Sequence, residues 1–454
     1  MARKRSRLRA LVACVAAASL TITWRLLRRA PVAPAARAPS APRVAHAPEA
    51  AALLPSKRKR ATRDVPRHAQ RTFFAQPSNG RMATTLLGLG WRRAERWQDA
   101  ELLWYQKKTL IDWDRVKPWQ LVNHVRAEKH IGSKADLHHH LEGTPAAAWT
   151  PETYDLKDAN ARATFVDLAT REAPRAAGEK PRWLLKDPIV DGGNGIEILD
   201  AGADALDAAG GLLPDHRKKL AQRYVSDLLL LDGHKFDLRV YWVVASFAPP
   251  LVYYYDGTLR VSLSNFTADG PRDKAADLTN AAQQKGGHSS HDERSRQAMS
   301  ALWALLARRA PDFPAWPADA AGHVKCEIRR AIQEIWKPYA KVLRPQGPDA
   351  FVLFGADFMI DEKLGVHLSE IQSGPGLPTN TKAVREVVEA MIPDFAAVVL
   401  AVRDEPDAAH ATAKAVAQQR GFELLVDGAA APAPASCEGR RASWLEERQE
   451  LTMR

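Results

Sequence analysis

Residues 351–377 read FVLFGADFMIDEKLGVHLSEIQSGPGL. Two apolar runs rich in strand formers flank the polar, glycine-containing DEKLG, the pattern of a hairpin. Pairing about the midpoint between Lys363 and Leu364 sets Asp357 opposite Glu370 on one face, with Gln372 two residues further along that face. Carboxylates directly opposed destabilise a sheet and raise one another's proton affinity. A divalent cation removes the conflict, and all-oxygen donors favour magnesium. The competing reading is a solvated hairpin with two exposed acids.

Two more stretches carry chemistry. In DGHKFDLRVYWVVAS, Lys235, Asp237 and Arg239 alternate, so one strand face takes all three charges beside an apolar run. An exposed strand edge would look the same. In RWLLKDPIVDGGNGIEIL a strand ends at Lys186, and Gly192, Gly193 and Gly195 precede a second strand. The N–H groups of such a loop can cradle phosphate while the lysine neutralises it, although a plain turn has the same composition. The run His138, His139, His140 offers no shared metal site, because adjacent helical side chains diverge.

The order of these blocks, with QRYV, LTN and WTPETYDL between and before them, resembles the tubulin tyrosine ligase-like family over residues 123–391. The resemblance implies an α/β ATP-grasp fold with a smaller preceding α/β domain. It implies that Lys134 and Lys186 contact nucleotide phosphates, that the loop at Gly193 and Gly195 covers them, and that Gln222, Arg223 and Tyr224 lie beside adenine. Lys235, Asp237 and Arg239 would line the space between nucleotide and amino acid. Arg239 and Arg260 would hold the carboxylate of the incoming amino acid, and Asp357, Glu370 and Gln372 would hold magnesium. The implied reaction is ATP-dependent ligation of a free amino acid (Glu, Tyr or Gly) to a protein carboxylate, on a tubulin tail or another acidic tail. Three positions depart from the family pattern: Gln372 stands for Asn, Asn194 for Arg, and Asp277 for His. They leave a nucleotide-binding pseudoenzyme or scaffold of the same fold as one alternative, and the N-terminal arm leaves an organelle- or membrane-localised ligase with a non-tubulin acceptor as another.

The elements that must position these residues divide the chain into a basic, apolar targeting segment (1–30), a Pro/Ala-rich linker (31–75), a pre-ATP-grasp domain (76–175), two ATP-grasp subdomains (176–250 and 251–405) and a tail (406–454). A strand or turn followed by a helix is expected over 84–106, and a helix over 119–141. Asp256-Gly257 reads as a hairpin turn with Arg260 on the returning strand. The polar stretch 270–295 reads as a mobile loop. Helices follow at 295–310, 323–343 and 381–402, and the tail holds an Ala-rich helix and a polar end.

Charge is uneven. Of 65 Lys+Arg and 53 Asp+Glu, residues 1–71 hold 17 and two, which leaves 48 against 51 for the rest. The body is near neutral, which argues against nucleic acid as a partner. The uncharged run at residues 10–24 is short for a membrane span of about 20 residues, so it reads as a signal core, a short signal anchor or part of a transit segment. Cys14, Cys326 and Cys437 suggest neither a disulfide framework nor a zinc site, and they are compatible with a reducing compartment.

Overall fold

The computed structural model describes residues 66–437, apart from 78–79, 173–180, 191, 203–218, 269–272, 285–290, 346–348, 406–409 and 433–436. The expected targeting segment, its apolar run at 10–24, most of the linker and the last residues of the tail lie outside the described residues. Among those described, no helix is long and apolar enough to cross a membrane.

From the N-terminal side the elements are β1 (Thr72–Gln76), α1 (Arg81–Gly88), β2 (Arg92–Arg93), β3 (Leu102–Tyr105), β4 (Leu121–Val122), α2 (Lys129–Gly132) and α3 (Lys134–Leu141). Strands β1 to β4 pair in parallel. Next come β5 (Thr153–Asp155), α4 (Ala159–Arg171), β6 (Arg182–Lys186), β7 (Ile196–Asp200) and β8 (Leu220–Arg223), an antiparallel sheet ordered β5-β8-β6-β7. Then follow β9 (Leu230–Leu231), β10 (His234–Phe247), β11 (Pro250–Asn265), α5 (Lys274–Asp277), β12 (Arg296–Ala298), α6 (Met299–Arg309) and α7 (Ala320–Val342). The last are β13 (Asp349–Ala350), β14 (Val352–Ile360), β15 (Val366–Ser373), α8 (Lys382–Asp404), α9 (Ala411–Gln419) and β16 (Glu423–Asp427). Strand β13 extends the parallel sheet. The third sheet is ordered β12-β11-β10-β14-β15, with β16 on β11 and β9 on β10.

The third sheet builds the core because both its faces are covered. On β10, Leu238, Val240, Trp242 and Val244 join one cluster with Ile328, Ile332 and Ile335 of α7. The alternating Tyr241, Val243 and Ala245 join another with Val388, Met391, Ile392 and Phe395 of α8. Residues of the second set share a face with Lys235, Asp237 and Arg239. One end of that face is therefore packed under α8, and the other carries charge.

Several local expectations fail for non-local reasons. The stretch 84–106 runs helix first and strand second. Residues 119–141 hold a short strand and broken helical turns before α3. Asp256-Gly257 is no turn: β11 runs straight through it, and the chain reverses between Phe247 and Pro250. The pairing instead slips beside Gly257, between Arg239–Thr258 and Tyr241–Tyr255. A Cβ at Gly257 would lie 1.8 Å from the Arg239 carbonyl oxygen, so the glycine serves a bulge of close backbone approach. Within 270–295, residues 273–284 are folded, and α5 buries Asp277. The tail contributes β16. Cys326 on α7 and Cys437 form a disulfide with Cα atoms 4.9 Å apart, against the expectation from their spacing.

Candidate active site

Strand pairing aligns six charged residues across one face. Arg296 on β12 pairs with Arg260 on β11, and Arg260 with Asp237 on β10. Two residues along β10, Arg239 pairs with Asp357 on β14, and Asp357 with Glu370 on β15. The expected opposition of the two acids is present, through a register that the hairpin alone does not supply. Near the turn Phe358 faces Leu368, and a one-residue bulge at Ser369 brings Glu370 opposite Asp357.

Hydrogen bonds tie this row together. Arg239 donates to both Asp357 oxygens, from Nε at 2.5 Å and Nη2 at 3.0 Å. Arg260 donates to Asp237 at 2.5 and 2.8 Å, and its Nη2 stands 2.7 Å from Asp357. Thr279 also donates to Asp237. Burial would raise the Asp357 carboxyl, but the guanidinium groups of Arg239 and Arg260 hold it well below the usual carboxylate range. Glu370 moves the other way, pushed up by burial and by the facing Asp357 charge. Gln372 donates to Glu370 at 2.9 Å, and Lys134 stands 3.9 Å from its other oxygen. Two opposed carboxylates, one disfavouring the other's ionisation, beside an amide form a hard-oxygen donor set that fits a magnesium-like cation.

Lysines gather beside the row. Lys186 donates to Gln222 at 2.5 Å, and Gln222 donates onward to Thr153 at 2.9 Å. The Lys235 ammonium lies 3.3 Å from the Tyr224 hydroxyl and over its ring at 4.6 Å, while that hydroxyl donates to Asp277 at 2.8 Å. Burial lowers both lysines to about 8. For Lys186 the neighbouring Lys134 and Lys235 add to the effect, with Glu370 opposing. These are desolvated ammonium groups held where an anion would restore their full charge.

Lys134 opens α3 behind its Ser133 cap, and it donates to the Val190 carbonyl at 3.3 Å, which links Glu370 to the glycine loop. In that loop Gly193 has φ +77°, and Gln283 holds both the Gly192 carbonyl and the Asn194 side chain. A Cβ at Gly195 would stand 2.6 Å from Asp187 Cβ. Tyr224 forms an apolar wall with Leu184, Ile198 and Phe266.

One sequence-selected side chain stands apart. Arg223 points away from Gln222, ion-paired with Glu152 at 2.7 Å and Glu172 at 2.5 Å, and lies over Trp183. Its place beside the site is through backbone alone. Sequence reasoning missed Arg296, which lies in a three-residue strand after a polar stretch and carries no local strand signal. It also undervalued Asp277, which anchors Tyr224. The histidine exclusion on α3 does not hold geometrically: donor atoms of His138, His139 and Glu142 lie within 4.8 Å of one another. His139 instead sits 3.0 Å from Asp155.

A family model described as the tubulin-tyrosine ligase family matches residues 114–408. The human probable tubulin polyglutamylase TTLL2 is 27% identical over 306 residues, 65% of this chain and 50% of that protein. The human inactive polyglycylase TTLL10 is 28% identical over 326 residues, 66% and 46% of the two chains. The rat protein polyglycylase TTLL10 is 26% identical over 393 residues, 75% and 54%. The chain thus spans about half the length of these relatives. With the match running from 114 to 408, the chain belongs to the tubulin-tyrosine ligase family and has its mixed α/β, ATP-grasp-like fold.

Proposed function

We propose that the protein is an ATP- and magnesium-dependent ligase that joins the amino group of a free amino acid to a carboxylate of an acidic protein tail. The observation that carries this reading is the charged row from Arg296 to Glu370, flanked by two lysines that burial has lowered to about 8. Lys134, Lys186 and the loop at Gly193 and Gly195 would bind the phosphates. The wall around Tyr224, with Gln222 beside it, would bind the base. Asp357, Glu370 and Gln372 would hold the metal, which supplies charge neutralisation of the β- and γ-phosphates when bound. The acceptor carboxylate oxygen attacks the γ-phosphorus, giving an acylphosphate and ADP. The amine then attacks the acyl carbon, phosphate leaves, and an amide forms with loss of the amine proton. Lys235, Arg239 and Arg260 serve by positioning and by matching charge on the transferring group. The name of the human relative TTLL2, a probable tubulin polyglutamylase, points to a tubulin tail as acceptor.

Calorimetry of ATP binding with and without magnesium, on the wild type and Glu370→Gln, tests the site. Magnesium-dependent binding that weakens in the variant supports it, and binding indifferent to both counts against it. Ligation of labelled amino acids to tubulin then tests activity. Tight ATP binding with no turnover, restored by Gln372→Asn and Asn194→Arg, would favour a pseudoenzyme instead.

The Cys326–Cys437 bridge favours a second reading of the acceptor. Structural disulfides persist in oxidising compartments, where a tubulin tail is not the expected partner. Imaging of the C-terminally tagged full chain separates the two, since microtubule or diffuse cytosolic signal would defeat the second.

A further inference from the structure

The last turn of α3 carries side chains that the proposed reaction leaves unused. His138, His139 and Glu142 bring one donor atom each to within 4.8 Å of one another. His138 and Glu142 stand one helical turn apart on a shared face, with His138 Nε2 4.0 Å from the carboxylate. An ideal helix would turn His139 away from His138, yet their ring centroids lie 5.4 Å apart. The His139 ring is held from β5. Asp155 is buried there and fixed by the Lys157 N–H at 2.9 Å, and it accepts from His139 Nε2 at 3.0 Å. With Nε2–H given to Asp155, His139 keeps its lone pair on Nδ1. Carboxylate, imidazole and metal in series is the usual order around a bound zinc ion, where the outer carboxylate sets the tautomer and aims the ring. His138 is also ready to ligate. Burial pulls its ring below the ordinary histidine value, against the Glu142 charge, so it stays neutral and keeps a lone pair.

We propose that His138, His139 and Glu142 bind a zinc-class divalent ion, with Asp155 as the positioning residue for His139. Tetrahedral zinc at ~2.1 Å sets its donors about 3.4 Å apart, so small side-chain rotations close the three on it. A fourth position is left for water. Two imidazoles select against magnesium, which takes oxygen donors, so this site differs in chemistry from the Asp357–Glu370 pair. The C-terminal end of a helix also favours a cation. The histidines belong to α3 and Asp155 to β5, so the ion fastens that helix to the second sheet. Lys134 lies at the other end of the same helix, against Glu370 and the Val190 carbonyl. Thr153, two residues before Asp155, receives Gln222. The ion therefore braces the helix that presents Lys134 without itself touching the nucleotide.

Calorimetry tests this with zinc chloride titrated into the full chain, prepared without a histidine tag and with magnesium in large excess. No nucleotide is present, so the outcome is independent of the ligase reading. One zinc should bind per chain, and zinc should raise the melting temperature. His138→Gln and Glu142→Gln should each weaken binding by about tenfold or more. Glu142 is exposed, so its variant keeps the test valid should His138→Gln destabilise the fold. Asp155→Asn should cost about tenfold to a hundredfold in zinc affinity, the scale for an outer carboxylate. His140→Gln should change nothing, because His140 stacks on Tyr339 beside the cluster. X-ray absorption on the loaded protein should show two imidazoles at about 2.0–2.1 Å, and Asp155→Asn should disturb that signature where a purely structural role would not. Absence of zinc binding overturns the proposal. So does binding that survives both His138→Gln and Glu142→Gln, or an absorption spectrum showing sulfur or oxygen donors alone.

Discussion

Asp357 and Glu370 share one proposed task, yet their surroundings predict opposite effects on the empty protein. Asp357 is fully buried and accepts from Arg239 at 2.5 and 3.0 Å, with Arg260 at 2.7 Å. Asp357→Asn keeps the volume and removes the charge, which leaves two largely but not fully buried guanidinium groups partly uncompensated. Breaking a buried pair in this way costs about 3–5 kcal/mol. At ~2 °C per kcal/mol for a large domain, the melting temperature should fall by about 6–10 °C. Glu370 has a weaker hold. Its cation, Lys134, is 3.9 Å away, and such a partly exposed contact contributes about 0–1 kcal/mol. Against that loss, Glu370→Gln removes the repulsion from Asp357 that raises the Glu370 carboxyl. The two effects offset, so this variant should melt within about 2 °C of wild type. Thermal melting followed by fluorescence, with and without magnesium and ATP, reads both. Ligand-free protein should separate the variants, and ligand should stabilise only the wild type, since both variants lose the metal. If Glu370→Gln melts as low as Asp357→Asn, or if Asp357→Asn melts unchanged, the electrostatic account of the row is wrong.

Lys186 and Lys235 fall to about 8 in the empty protein and must be charged to bind phosphate, so ATP affinity should drop as pH rises through about 8. Calorimetry near that pH, in buffers of different ionisation heat, should show proton uptake on binding. Glu370 gives a stability signature: its folded value is raised, so the native state holds the extra proton, and this group's contribution rises as pH falls from neutrality towards the usual carboxylate range. Melting against pH should show that rise in wild type and not in Glu370→Gln. Gly257→Ala places a Cβ 1.8 Å from the Arg239 carbonyl oxygen, an overlap that should cost about 3 kcal/mol and weaken ATP binding by displacing Arg239. Peptide mapping without reductant should recover Cys326 joined to Cys437, and recovery of both as free thiols would remove the argument for an oxidising compartment.

What the sequence disclosed, and what it hid, follows from chain distance. The pairing of Asp357 with Glu370 lies within one hairpin and was expected from its sequence, although the register that delivers it depends on a bulge at Ser369 that periodicity does not show. Strand β6, the glycine loop and β7 were legible for the same reason. Asp256-Gly257 misled because the same dipeptide serves a tight turn and a bulge. What decides between them is the Arg239 carbonyl, a non-local neighbour on the adjacent strand, which no window of sequence contains. Arg223 was selected with Gln222 and Tyr224 as one motif, yet alternation sends its side chain to the opposite face, towards Glu152 and Glu172. The disulfide joins residues 111 apart, and three cysteines give no hint of which two meet. Arg296 was invisible because its significance comes only from the strand it pairs with.

That pairing also gives the row a direction. Three cations and three acids alternate imperfectly across the sheet: Arg296 and Arg260 at one end, Asp357 and Glu370 at the other, with Asp237 and Arg239 between. The sum is neutral, so the row stabilises itself well enough to fold, but its ends have opposite sign. A face built this way discriminates by orientation. On the proposed reading, a cation with its phosphates would sit at the β14–β15 end. On that reading the reacting groups would meet over Arg239 and Asp237, the residues with charges of both signs beside them. A neutral sheet of the same shape would bind the same substrates in either direction. The polarity of this one leaves a single direction in which every charge is matched.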